Sequence, residues 1–205
     1  MAHTIDNIIV HADDPGLMYW FVDGKRMGPL RRDYADKLGI HVGATWNKAK
    51  ARKVEHLAQL TACHASALAF LAKRDFTRAL LLERLCRKWP EAIAQVTVDQ
   101  MCAAGWVDDK TYATRRAAKL MERKIISPEL LQARLSGEGV PDSIAEKSAR
   151  VAATTLTQLC TEAKRLTRAG KSTTSIARTF SRAGFDLDTI ESVFAKARIP
   201  WNSES

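Results

Sequence analysis

Three stretches of this chain fall on a single helical pattern, and that pattern limits the fold more than any other feature. Thr77, Ser127 and Ser172 stand at offsets of 50 and 45 residues. Four positions later come Leu81, Leu131 and Ile176, and eight later come Leu85, Leu135 and Phe180. Twelve positions later come Trp89, Gly139 and Gly184, with Val140 and Phe185 directly after the two glycines. A hydroxyl N-cap, apolar residues one and two turns on, and a Gly-apolar stop describe one amphipathic helix used three times. Upstream apolar residues align as well: Phe70/Leu71 with Leu120/Met121, and Leu166 with Met121. A further helix follows each unit, around 92–104, 143–153 and 187–197. These signals predict a mainly α protein, a tandem array of three three-helix repeats. Such units bury their faces only against neighbours, so the array is expected to be elongated and curved, with one continuous surface for a partner. A single compact bundle that merely shares cap chemistry is the competing fold.

The front of the chain has a different texture. Thr4 to His11 is rich in Ile and Val, a turn follows at Asp13-Asp14-Pro15-Gly16, and Leu17 to Val22 is strongly β-prone. Asp23-Gly24 suits a type I′ hairpin turn, whose two central residues need positive φ. Lys25 to Leu30 returns as the next strand, and Asp33 is placed to cap a short helix ending at Leu38 and Gly39. The expected organisation is a small β-hairpin or three-stranded segment over 1–47, then a linker helix with the first repeat over 48–110. The second repeat is set at 111–155, the third at 156–198 and a tail at 199–205.

Function classes narrow by exclusion. No apolar run approaches the ~20 residues of a membrane span. No basic and apolar leader opens the chain, so a cytoplasmic setting is expected. Cys63, Cys86, Cys102 and Cys160 form no C-x-x-C pair and suit a reducing compartment. All five histidines lie in the first 64 residues, and His56 with Cys63/His64 finds no second ligand pair at zinc spacing. Gly170-Lys171-Ser172-Thr173 imitates the end of a phosphate loop, but position 165 is Arg where that loop needs Gly, and Ser172 reads as a helix N-cap. With no catalytic triad, metal or cofactor to assemble, a non-enzymatic protein is expected.

The charge is +9 overall: +2 over residues 1–60, +4 over 61–150 and +3 over 151–205. The excess is spread along folded segments and favours polyanionic partners in a salt-dependent way. Its densest groups are Lys73/Arg74/Arg78, Arg84/Arg87/Lys88 and Arg115/Arg116/Lys119/Arg123/Lys124. Arg116, Lys119 and Arg123 share one helix face by their spacing. The bland reading of each of these residues is a solvated outer face.

The most specific string is Gly105-Trp106-Val107-Asp108-Asp109-Lys110-Thr111-Tyr112-Ala113. Gly105 ends one helix, Asp108 or Asp109 caps the next, and Tyr112 anchors its first turn on an apolar neighbour. A carboxylate pair for catalysis or a cation is the sharper alternative, and no third ligand supports it. With Ala67 to Asp75, Leu85 to Lys88, Leu135 to Val140 and Phe180 to Phe185, this string resembles the RecX family of recombination regulators. The likeness runs over most of residues 15–198. It implies a monomer without cofactor that acts in DNA repair and the SOS response. Such a protein binds a RecA-type recombinase filament, meets single-stranded or duplex DNA mainly through phosphates, and restrains filament growth, ATP hydrolysis and strand exchange. Two other classes stay open on the residues alone: a helix-turn-helix-like DNA-binding module, and a general protein-interaction repeat.

Overall fold

A computed structural model describes residues 3–122 and 124–201. The chain is mostly helical with a small antiparallel sheet at its front. It divides into two compact units. The first takes the residues up to Arg74 together with Leu81–Trp106, and the second takes Asp75–Leu80 with the residues from Val107 onward.

In the first unit, β1 (His3–Val10), β2 (Leu17–Val22), β3 (Lys25–Arg31) and β4 (Thr45–Trp46) form one sheet in the order β3-β2-β1-β4. Asp23 and Gly24 both carry positive φ, 50° and 72°, as the hairpin turn requires. β2 alternates strictly: Met18, Trp20 and Val22 point inward and are buried, while Leu17, Tyr19 and Phe21 stand half-exposed on the other face. The inward set packs with Ile5, Leu30, Ala35, Ile40, Trp46 and Val54, so the sheet closes on α1 (Arg32–Lys37) and the start of α2 (Lys48–Leu71). Two details differ from the sequence expectation. β4 is a two-residue strand paired with His3 and Thr4, too short to leave a periodic signal. Asp33 does not cap α1; Arg31 takes the N-cap position without a side-chain bond, and Asp33 falls in the first turn. α2 is capped instead by Asn47, which accepts from the Lys50 amide. Its later part packs on α4 (Glu91–Ala103), with Cys63, Ala67, Ile93, Ala94, Val98 and Met101 buried. Leu81 and Leu85 of α3 (Arg78–Cys86) are buried as well.

The second unit holds α5 (Asp109–Met121), α6 (Pro128–Gly137) and α7 (Asp142–Ala152), then α8 (Leu156–Arg168), α9 (Thr173–Arg182) and α10 (Leu187–Ala197). Ser127 and Ser172 are the N-caps of α6 and α9, accepting from Leu130 and Ser175 amides, which removes the phosphate-loop imitation. The α5–α7 core is built on small residues, Ala113, Ala117, Ala145 and Ala149, around Leu131, Leu135 and Val140. The α8–α10 core is more aromatic, with Phe180 edge-on to Phe185 and Phe194 stacked on Trp201.

Glycine has a specific job where α6 and α9 end. Gly139 and Gly184 adopt φ of +80° and +91° and close the helices by backbone bonds from Val140 to Leu135 and from Phe185 to Phe180. A Cβ on Gly139 would lie 2.7 Å from Ala79 Cβ, and one on Gly184 would lie 2.7 Å from Leu130 Cβ and Ser127 Oγ. Each glycine therefore receives the cap region of the preceding repeat's middle helix, and any side chain would force the two apart.

Candidate partner-binding surface

The Gly105–Ala113 string resolves into capping chemistry. Gly105 is exposed and ends α4, with the Trp106 amide bonded to the Met101 carbonyl at 2.9 Å. Asp108 is the N-cap of α5; its carboxylate accepts from the Lys110 amide at 2.9 Å and from the Thr111 hydroxyl at 2.6 Å. The Thr111 hydroxyl foremost, then the Lys110 amide, hold the Asp108 carboxyl below its usual range. Asp109 looks elsewhere and accepts from the Arg78 amide at 2.8 Å, serving the first turn of α3. The two carboxylates thus cap two helices, one local and one 31 residues away. Acid–base pairing has no geometric basis here.

Tyr112 packs against the α5–α7 core, and its hydroxyl donates to Glu138 Oε2 at 2.8 Å. The same carboxylate accepts two bonds at 2.9 Å from Arg116 Nε and one at 2.6 Å from Nη2. This fork is partly shielded, with side-chain exposures of 36% for Arg116 and 25% for Glu138. The carboxylate stabilises the charged guanidinium, first through the hydrogen bonds and then through opposite charge, and raises its pKa further. Arg116 is therefore a joint between α5 and the end of α6.

The remaining predicted cations divide between the units. In the first, Lys73, Arg74, Arg84, Arg87 and Lys88 are all exposed. Arg84 lies over the Phe70 ring at 5.1 Å, Arg87 pairs with Glu83 at 2.8 Å, and Lys88 lies over Trp89 at 5.0 Å. In the second, Arg78, Arg115, Lys119 and Lys124 are exposed, and Arg115 faces Asp75 at 3.7 Å. Lys73, Lys119 and Lys124 form no ion pair among the described residues, so their ammonium groups are the least committed of the set. Arg123, which the helix spacing put beside Arg116 and Lys119, lies outside the described residues. Sequence reasoning missed Glu138. Its signal is weak: a lone acid before Gly139, whose partners stand 22 and 26 residues upstream.

Comparison with known proteins adds a relationship to this geometry. The chain is 34% identical over 83 residues to regulatory protein RecX from two Thermus thermophilus strains, a match covering 40% of this chain and 57% of the relatives. It is 30% identical over 89 residues to regulatory protein RecX of Trichlorobacter lovleyi, covering 43% of this chain and 58% of that protein. The matched segments span somewhat more than half the length of these relatives. No family model matches the chain. Among solved structures, one described as regulatory protein RecX superimposes with a TM-score of 0.75 at 15% identity, over 96% of this chain and 98% of that one. A second, RecX from Lactobacillus salivarius, gives 0.60 at 20% identity over 68% and 97%. The likeness to RecX proteins is thus present in sequence over part of the chain and in fold over nearly all of it.

Proposed function

We propose that this chain is a RecX-type regulator that docks on a RecA-type recombinase–DNA filament and restrains its growth, its ATPase and strand exchange. The carrying observation is the sequence match to proteins named regulatory protein RecX in a chain that also has the RecX fold. Two physical features support it. Helical units that bury their faces only against neighbours leave their outer faces for a partner, which suits a polymeric target. The uncommitted ammonium groups of Lys73, Lys119 and Lys124 suit phosphates or acidic side chains, and as mobile point charges they contribute attraction without base specificity. Binding of this kind needs no chemistry from the chain; occupancy of the filament is the effect.

The decisive assay follows ATP hydrolysis by a RecA-type recombinase on single-stranded DNA while this protein is added at substoichiometric amounts. A progressive fall in hydrolysis is expected. Unchanged hydrolysis at every ratio refutes the proposal, and tight sequence-selective binding to naked duplex would favour a DNA-reading module instead.

A further inference from the structure

The sheet of the first unit has a second face that its core does not use. Ile9, Leu17, Tyr19 and Phe21 are on it, and none belongs to the cluster packed behind the sheet. Ile9 is 49% exposed. Register places Ile9 beside Tyr19 on the one side and Arg26 beside Phe21 on the other, so the two aromatic rings occupy the central strand. The Arg26 guanidinium lies over the Tyr19 ring at 3.8 Å, and the His11 ring stacks on Tyr19 at 5.8 Å between centroids.

We propose that this face binds single-stranded nucleic acid by stacking its bases. Three observations commit the face to that occupant. The rings of Tyr19 and Phe21, two residues apart on one strand, are about 7 Å apart along it, a spacing that an extended strand of nucleotides can follow. A stacked layer already exists there, His11–Tyr19–Arg26, and a base can take the place of imidazole or lie on the guanidinium plane. The charge is complementary to phosphate: on this face β3 carries Arg26 and Arg31, and neither β2 nor β3 contains a carboxylate. Arg26 has no acidic partner among the described residues, whereas Arg31 is held at 3.4 Å by Asp33 at the end of the strand. The one acid of β1, Asp6, is engaged by the Gly24 amide at 3.0 Å. Strands free of carboxylates, with the Arg26 guanidinium over the Tyr19 ring, favour a polyanion that carries π faces over an apolar protein segment. This inference does not rest on the recombinase reading, since it concerns a ligand that the chain binds alone.

The test uses the full chain without recombinase and fluorescent 15-mers of dT and rU, with a 15-base-pair duplex for comparison. Binding of at least one single strand in preference to duplex is expected, and comparing dT with rU says which sugar is favoured. Tyr19→Thr and Phe21→Thr keep strand propensity and should each weaken it by about ten-fold. Arg26→Gln, a surface change, should weaken it and flatten its salt dependence. Ultraviolet cross-linking of the unaltered protein to 4-thio-dT should label the Leu17–Arg26 segment. Failure to bind either single strand overturns the proposal. So does parent-like affinity in variants with unchanged thermal melts, or cross-linking confined to other segments. Loss of recombinase inhibition by these variants with oligonucleotide affinity intact would make the face a protein-docking surface and equally overturn it.

Discussion

The Thr77 hydroxyl donates to the carbonyl oxygen of Glu138 at 2.8 Å, tying the start of one repeat's middle helix to the end of the next. The same hydroxyl accepts from the Leu80 amide at 3.2 Å, so one side chain caps α3 and bridges 61 residues. One repeat later the bridge recurs with a different donor: the Ser127 amide donates to the Ala183 carbonyl at 2.8 Å. Both acceptors immediately precede the left-handed glycines, Gly139 and Gly184. Alanine at either glycine meets an adverse backbone and a 2.7 Å contact, so Gly139→Ala and Gly184→Ala should each cost about 2 kcal/mol or more. Thr77→Ala should cost about 1–2 kcal/mol and Thr77→Ser much less. Urea unfolding checks all four. A glycine variant as stable as the parent would show that the joint is loose.

Position 89 makes the complementary point. It aligns with the two glycines but holds Trp, and the backbone there does not take the positive φ of the glycines. In the first repeat no earlier cap has to be received, so the steric demand for glycine is absent. Trp89→Gly should therefore not resemble the loss of a joint; it should cost only what removing a half-buried ring costs, and Trp89→Phe should restore most of it. Thermal melts of the pair would decide, and failure of Phe to rescue would give Trp89 a specific role.

Much of the helical order was legible because cap chemistry is local. A hydroxyl followed by apolar residues at four and eight, then glycine, marks α6 and α9 with Ser127 and Ser172 where expected. The three hairpin strands were legible for the same reason, since turn residues and alternation act over a few positions. What stayed hidden depends on distant partners. Asp109 serves a helix start 31 residues back, and Glu138 gathers Tyr112 and Arg116 from another helix. Helical spacing puts Arg116 and Lys119 on one face, yet one is locked in an ion pair and the other is exposed without one among the described residues. β4 escaped because two residues carry no period.

That difference predicts unequal effects of charge reversal. Arg116→Glu places a second carboxylate against Glu138 and should lower stability clearly. Arg116→Ala should cost about 1–2 kcal/mol, the modest worth of a partly solvated but well-formed fork. Lys119→Glu should leave the melt nearly unchanged. A double-mutant cycle between Arg116→Ala and Glu138→Ala measures the coupling, and additive losses would mean that the two side chains act independently.

Acid should loosen the helix starts in a defined window. The Asp108 and Asp186 carboxyls sit below their ordinary values, each held mainly by a threonine side chain, Thr111 and Thr189. Because the folded value is the lower one, their stabilisation is present above the unfolded pKa of ~3.9 and is lost as pH falls through the folded value. Stability should therefore decline below about pH 4. Asp108→Asn, which keeps a capping oxygen, should change little at pH 7 and make the acid decline shallower. An unaltered acid profile in that variant would remove Asp108 from the account.

The cation map finally yields a prediction that separates docking from folding. Lys119 and Lys124 are exposed, lie in one unit and have no carboxylate partner among the described residues. Reversing both to Glu changes the net charge from +9 to +5 without touching a core residue. If those ammonium groups meet a polyanionic surface, inhibition of recombinase ATPase should require several-fold more protein. The deficit should shrink as salt rises, because screening removes from the parent the attraction that the variant lacks. A deficit that persists unchanged at high salt would mean that the substitutions disturb shape or contact rather than long-range charge. No deficit at low salt would leave Lys119 and Lys124 as solvated surface and direct attention to Lys73, in the other unit, whose reversal can be tested by the same titration.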